Sequence, residues 1–173
     1  MRYAAIRKLD ISNGEEIGVS MFVQGCPIHC KNCFNPETWD FNGGSELTDD
    51  VINKFIDLAN REQIRRISFL GGEPLCVENV QYVLHMIELI KQKYGSKKKI
   101  WVYTGYQYES LIDRDSPIIQ KIMSKIDVLV DGQYKDELRD MSLQFRGSSN
   151  QRLIDMKKTV ESGEVVLYAT KNR

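Results

Sequence analysis

Cys26, Cys30 and Cys33 fall within eight residues in the spacing C-x3-C-x2-C, inside the stretch Gly25-Cys26-Pro27-Ile28-His29-Cys30-Lys31-Asn32-Cys33-Phe34. Thiolates this close together are ligands for a soft metal ion or an iron–sulfur cluster, not a disulfide framework. A structural zinc ion or an ordinary electron-transfer cluster takes four protein ligands. Three ligands leave one metal position open, and an open position is where a substrate binds and reacts. Two chemistries remain on this pattern alone. One is a [4Fe–4S] cluster with one iron free of protein ligands. The other is a zinc site completed by His29 or Cys76. His29 adjoins Cys30, where sharing a single metal is geometrically awkward, and Cys76 lies far down the chain.

Other stretches carry groups suited to binding. Gly71-Gly72-Glu73-Pro74 combines two glycines, which allow close backbone approach to a ligand, with a carboxylate that accepts from an ammonium group; the bland reading is a tight turn. Thr104, Asp131, Arg146, Ser148 and Asn150 are polar residues at strand ends or in a nearby loop. Some of them suit a ligand and some a backbone cap. Trp39 and Phe41 suit either a rim around the cysteine loop or core packing. His85 falls on a helix face, where a solvated or structural role is the default. Lys97-Lys98-Lys99 marks a solvated loop.

The elements that must position these groups follow from periodicity and turn residues. Strands are expected in Tyr3–Ile11 (one or two short ones), Gly18–Val23, Arg66–Leu70, Ile100–Tyr103 and Asp127–Val130. The tail adds apolar runs at Leu153-Ile154, which is ambiguous, and at Val165–Tyr168. Helices are expected after the N-cap Thr48, from Val80 to about Tyr94-Gly95, and in two short pieces, Tyr108–Ile112 and Pro117–Lys125. The order βαβαβαβ predicts a parallel sheet with right-handed crossovers. The cysteine loop, Gly71–Pro74, Thr104–Tyr106 and Asp131–Tyr134 each follow a strand. In a parallel sheet all four gather at the carboxyl edge, where such folds hold their active sites. A complete eight-stranded barrel takes roughly 250 residues, so the expected fold is α/β, a partial, open TIM-like β/α barrel with a mostly parallel sheet.

The chain of 173 residues suits a single domain, 1–173. Apolar residues make up 42% and charged residues 28%, a globular balance. Its 24 basic and 24 acidic residues cancel, which argues against a dedicated nucleic-acid binder. No apolar run is long enough for a transmembrane helix, and Met1–Arg7 lacks the apolar region of a signal peptide. No nucleic acid or membrane partner is expected, and the location expected is cytoplasmic. Four cysteines in that setting point to metal or redox chemistry.

The cysteine spacing, with the aromatic Phe34 directly after Cys33, resembles that of the radical S-adenosylmethionine (SAM) enzymes. The continuation Asn35-Pro36-Glu37-Thr38-Trp39-Asp40-Phe41 narrows the resemblance, together with Trp101–Tyr106, Val130-Asp131-Gly132 and Phe145-Arg146-Gly147-Ser148-Ser149-Asn150-Gln151-Arg152. From about Asp10 onward the chain is similar to the anaerobic ribonucleoside-triphosphate reductase-activating proteins. The resemblance implies a radical SAM oxidoreductase that activates a glycyl-radical enzyme. Its cofactors would be SAM and a [4Fe–4S] cluster held by Cys26, Cys30 and Cys33. The Gly71-Gly72-Glu73 turn would meet the methionine amino group of SAM, and Asn32-Cys33-Phe34 would lie against its adenine end. Some of the polar residues named above would bind the SAM carboxylate or ribose. The implied partners are the anaerobic ribonucleoside-triphosphate reductase, as protein substrate, and a one-electron donor such as flavodoxin. Another radical SAM reaction, or a non-catalytic zinc or iron–sulfur module, are the alternatives.

Overall fold

The computed structural model describes residues 1–170. The last three residues of the expected domain lie outside the described residues. Seven strands form one sheet: β1 (Arg2–Asp10), β2 (Gly18–Val23), β3 (Ser45–Glu46), β4 (Arg66–Gly71), β5 (Lys99–Tyr103), β6 (Val128–Asp131) and β7 (Arg152–Asp155). Their spatial order is β3-β1-β2-β4-β5-β6-β7. The four central strands, β2, β4, β5 and β6, run parallel, as the alternation of strands and helices requires. The edges supply the antiparallel pairs of the expected, mostly parallel sheet. β1 is a single nine-residue strand that returns antiparallel on β2 through a turn at Asn13-Gly14, and β3 pairs antiparallel with its start. β7 follows β6 without an intervening α-helix, so it too pairs antiparallel. A strand reached by a loop instead of a helical crossover returns alongside its neighbour in the opposite sense. The fold is therefore α/β with a mixed, mostly parallel open sheet. The ambiguous Leu153-Ile154 run is the core of β7. The Val165–Tyr168 run makes only an isolated bridge from Leu167 to Ile154.

Among the described residues five α-helices cover the sheet: α1 (Asp49–Leu58), α2 (Val80–Tyr94), α3 (Tyr108–Ile112), α4 (Pro117–Lys125) and α5 (Met156–Ser162). Thr48 caps α1 by accepting from the Val51 N–H, and Asp49 and Asp50 complement the helix dipole. α2 ends where Gly95 turns to φ 58°. All five helices bury their apolar faces in one core. Phe55 of α1, Ile87 of α2, Leu111 of α3, Ile122 of α4 and Met156 of α5 join Val19, Ile67, Phe69, Ile100, Val102 and Leu129 of the sheet.

Strand side chains alternate between faces. In β5, Ile100 and Val102 enter the helix-covered core, whereas Trp101 and Tyr103 face the opposite side with Val128, Val130 and Leu153. Among the described residues no α-helix packs on that second face. The Asn13-Gly14 turn folds over its lower part, with Gly14 packed against Arg66 and Trp101 so closely that a Cβ would meet Arg66 Cδ at 2.5 Å. Arg66, fully buried, donates to the carbonyls of Asp10, Asn13 and Glu15 and to the Ser68 hydroxyl, with the Asp10 carboxylate 3.8 Å away. The remainder of this face, above Asn13, is open as a cavity.

Candidate functional site

A cavity of about 550 Å³ occupies the helix-free face at the carboxyl end of the parallel strands. Its walls bring together Cys26, Cys30, Cys33 and Phe34 from the loop after β2, Gly71, Gly72 and Glu73 after β4, Thr104 and Gly105 after β5, and Gly132 and Tyr134 after β6. The four strand-end stretches thus converge on one space. Asn32 does not line it: its side chain donates to Asp136 Oδ2 at 2.7 Å on the surface.

The loop from Gln24 to Phe41 is held by its own backbone. The Gly25 N–H donates to Thr38 O at 2.8 Å, and the Cys26 N–H to Trp39 O at 3.1 Å. The Cys33 N–H donates to Cys30 O, and the Asn35 N–H reaches the Cys33 sulfur at 3.4 Å. Gln24, 2% exposed, spans the loop by donating to Glu37 O and Asp40 O. His29 stacks on Trp39 with ring centroids 4.6 Å apart, and Phe41 packs on Gly25, so Trp39 and Phe41 hold the loop from behind. Cys26 is buried and Cys30 and Cys33 are half-buried, all as free thiols. Burial pushes the Cys26 and Cys30 thiols up.

The Gly-Gly-Glu turn is locked to this loop. The parallel β2–β4 ladder runs on past the strands, with the Gly72 N–H donating to Val23 O at 2.9 Å and the Glu73 N–H to Gly25 O at 2.8 Å. Gly72 approaches so near that a side chain would overlap the Gly25 carbonyl, and Gly71 adopts φ 103° against Phe22. Asn79, buried at the start of α2, donates to the carbonyls of Gln24 and Glu73 and ties the two segments together. Glu73 is 1% exposed. Its Oε1 accepts from the Thr104 hydroxyl at 2.8 Å and the Leu75 N–H at 2.9 Å, and its Oε2 from the Gly105 N–H at 2.7 Å. Burial outweighs these donors and pushes its carboxyl up to about 7.

The remaining polar candidates separate. Asp131 is taken by Arg152, with contacts at 3.0 and 2.5 Å, and by the Tyr108 N–H. Ser148 accepts from the Lys135 N–H. Asn150 donates to Gln133 O, while its Oδ1 is buried with no hydrogen-bond partner among the described residues. Thr104 serves Glu73, and Arg146 lines the cavity. Cys76 is buried behind the Glu73 turn, its thiol pushed up to about 12 by that burial. Among the described residues, no three or more His, Cys, Asp or Glu groups are gathered around one point as a single metal ion requires. Gln24, Asn79 and Tyr103 are contributors that sequence reasoning passed over. Tyr103 lines the cavity with a buried hydroxyl that has no partner among the described residues, whereas the partners of Gln24 and Asn79 lie in distant segments.

Comparison with known proteins bears on this site. A family model described as a 4Fe-4S single cluster domain matches residues 12–154. The chain is 37% identical over 153 residues to the anaerobic ribonucleoside-triphosphate reductase-activating protein of Escherichia coli (strain K12), covering 87% of this chain and 96% of that relative. The chain belongs to the anaerobic ribonucleoside-triphosphate reductase-activating protein family. The family's protein from Salmonella typhi is equally similar, at 37% with the same coverage, and that of Enterobacteria phage T4 is 30% identical over 88% of this chain and 93% of its own. In this family member the matched span runs from the Asn13 turn into β7, and so contains every cavity wall except Arg7.

Proposed function

We propose that this chain is a radical SAM activase: a single radical SAM domain, built as a partial, open TIM-like β/α barrel, that generates the glycyl radical of an anaerobic ribonucleoside-triphosphate reductase. The observation that carries the reading is the convergence of three free thiols and the buried Glu73 on one cavity at the carboxyl edge of the sheet. The helix-free second face supports the barrel, because helices on one face only leave the other to form a barrel interior.

The donor set fits a [4Fe–4S] cluster. In a cubane each thiolate binds a different iron, so Cys26, Cys30 and Cys33 need to ring the cluster and not meet at one atom. The zinc alternative needs a fourth ligand converging with them. Its two candidates are otherwise engaged: His29 on Trp39, and Cys76 behind the Glu73 turn. Cys26, Cys30 and Cys33 would hold the cluster, which, given an electron by a one-electron donor such as flavodoxin, would supply the electron for cleavage of the SAM C–S bond to methionine and a 5′-deoxyadenosyl radical, the species that would take the glycine hydrogen atom.

The protein's own residues bind, orient and exclude water. The turn at Gly71-Gly72-Glu73 receives the methionine end of SAM, with one acceptor position left on Glu73 Oε2 for its ammonium group. Phe34, half exposed and tilted 5.0 Å from Tyr134, offers an aromatic wall for the adenine end next to Cys33, with Asn32 contributing through its backbone because its side chain is turned to Asp136. No protein acid or base is required. We place this chemistry in the cytoplasm, where its thiols stay reduced. Among the described residues no helix is long and apolar enough to cross a membrane.

The test is anaerobic reconstitution, followed by measurement of iron, sulfide and zinc and, after addition of SAM and a strong reductant, of 5′-deoxyadenosine. About four irons per chain with release of 5′-deoxyadenosine is the expected result. A colourless zinc protein that leaves SAM intact would sink the proposal.

A further inference from the structure

Arg146 lines the cavity and makes no hydrogen bond or ion pair among the described residues, and its Nε is buried without an acceptor. The loop around it is otherwise tied down, Asn150 Oδ1 being the other buried polar atom there without a partner among the described residues. The Gly147 and Ser148 N–H groups both donate to Gln151 Oε1, and Gln151 Nε2 donates to Gly132 O. Gly147 is closed in by Phe34, whose Cε2 a Cβ would meet at 2.6 Å, and by Tyr134 at 3.1 Å. The backbone bearing Arg146 is therefore fixed against the residue that follows Cys33, while its guanidinium lies within electrostatic reach of the Asp140 carboxylate but forms no ion pair with it. A guanidinium stays charged at any working pH, and a buried N–H of a charged group without an acceptor is costly. Such a group is explained by an anion that enters the cavity. The other cation on the cavity wall, Arg7, is exposed and lies over the Phe22 ring, 4.7 Å from its centroid.

We propose that Arg146 is the positioning residue for the carboxylate of SAM, working with Glu73 to bind the two charges of its amino-acid end. The inference rests on the SAM reading above. SAM carries a single anionic group, and a planar guanidinium fork matches a carboxylate in two parallel hydrogen bonds. Glu73 and Arg146 line the same cavity and bear opposite charges when ionised, so together they are complementary to a zwitterion.

Binding of SAM and of decarboxylated SAM, which keeps the sulfonium and the amine, to the cluster-loaded protein without reductant separates the possibilities. Wild type should prefer SAM. Arg146→Gln should lose about 10- to 100-fold in SAM affinity, the scale of a charged hydrogen bond, and hold decarboxylated SAM within about twofold, the scale of a contact never made. Arg146→Lys should fall between wild type and Arg146→Gln for SAM only. Equal weakening of both compounds by Arg146→Gln and Arg146→Lys overturns the proposal in favour of a loop-packing role, and unchanged SAM affinity overturns it outright. A wild-type protein that binds neither compound contradicts the SAM reading itself, and the inference with it.

Discussion

Burial keeps the Glu73 carboxyl protonated up to about pH 7, although three donors are aimed at it. Between its ordinary value of 4.5 and about 7, the folded chain holds a proton that the unfolded chain has lost. Stability in the absence of SAM should therefore fall as pH rises through that window, by up to about 3 kcal/mol. Glu73→Gln should flatten this slope, and urea denaturation at pH 5 and pH 8 measures it. The ionised form is the one that receives an ammonium group, so SAM should bind more tightly as pH rises through about 7 in wild type and show no such rise in Glu73→Gln. The same variant should bind SAM about 10- to 100-fold more weakly. Alanine at Cys26, Cys30 or Cys33 should each abolish cluster retention and glycyl-radical formation. Cys76→Ala, at a buried thiol that does not line the cavity, should leave both intact at a stability cost of about 1 kcal/mol. Iron analysis and the radical yield of these four proteins settle whether three thiols are needed or four.

At the scale of the elements, the cysteine loop owes its position to neighbours at both sides. The β2–β4 ladder continues into Gly72 and Glu73, and Gly72 leaves no room for a methyl group. Gly72→Ala should push the turn away from Gly25 and cost about 1–3 kcal/mol, with weaker cluster retention as the functional mark. On the other edge, Arg152 joins β7 to β6 through the buried Asp131 and to α3 through Glu109, at 2.9 and 2.7 Å. Removing Arg152 strands the Asp131 charge in the interior, so Arg152→Ala should cost about 3–5 kcal/mol, read as a lowered denaturation midpoint. The parallel core of the sheet was legible in the chain because its strands are short apolar runs that end in Gly-rich turns, as at Arg66–Gly72 and Val128–Gly132. The edge pairings were less so. Nothing local in Tyr3–Ile11 or Leu153-Ile154 declares strand direction, since that depends on which connection crosses the sheet. Gln24, Asn79 and Arg66 were silent for the same reason: each is a polar residue in an apolar setting whose partners lie in distant segments. Arg146 and Asp131 were visible as polar strand-end groups, but which of them was free to meet a ligand depended on where Arg152 and Gln151 came to rest.

The whole molecule divides its labour between two faces. One core, shared by all five helices, carries stability, while the helix-free face is closed below by the Asn13-Gly14 turn over Arg66 and left open above as the cavity. The rim of that cavity includes Phe34 at 51% and Met141 at 73% exposure, apolar surface suited to meeting another protein. On the proposed function, such a rim would let the chain deliver its chemistry outward to a partner's backbone, which a small-molecule enzyme has no need to do. The most direct measurement combines the reconstituted protein with the anaerobic reductase, SAM and reductant under argon, and records the electron paramagnetic resonance spectrum of the reductase alongside the 5′-deoxyadenosine released. The expected result is a glycyl radical on the reductase that requires SAM, is lost with Cys26→Ala, and rises in step with 5′-deoxyadenosine. SAM cleavage with no radical on the reductase would contradict the assignment of the partner, and a radical that forms without SAM would contradict the mechanism.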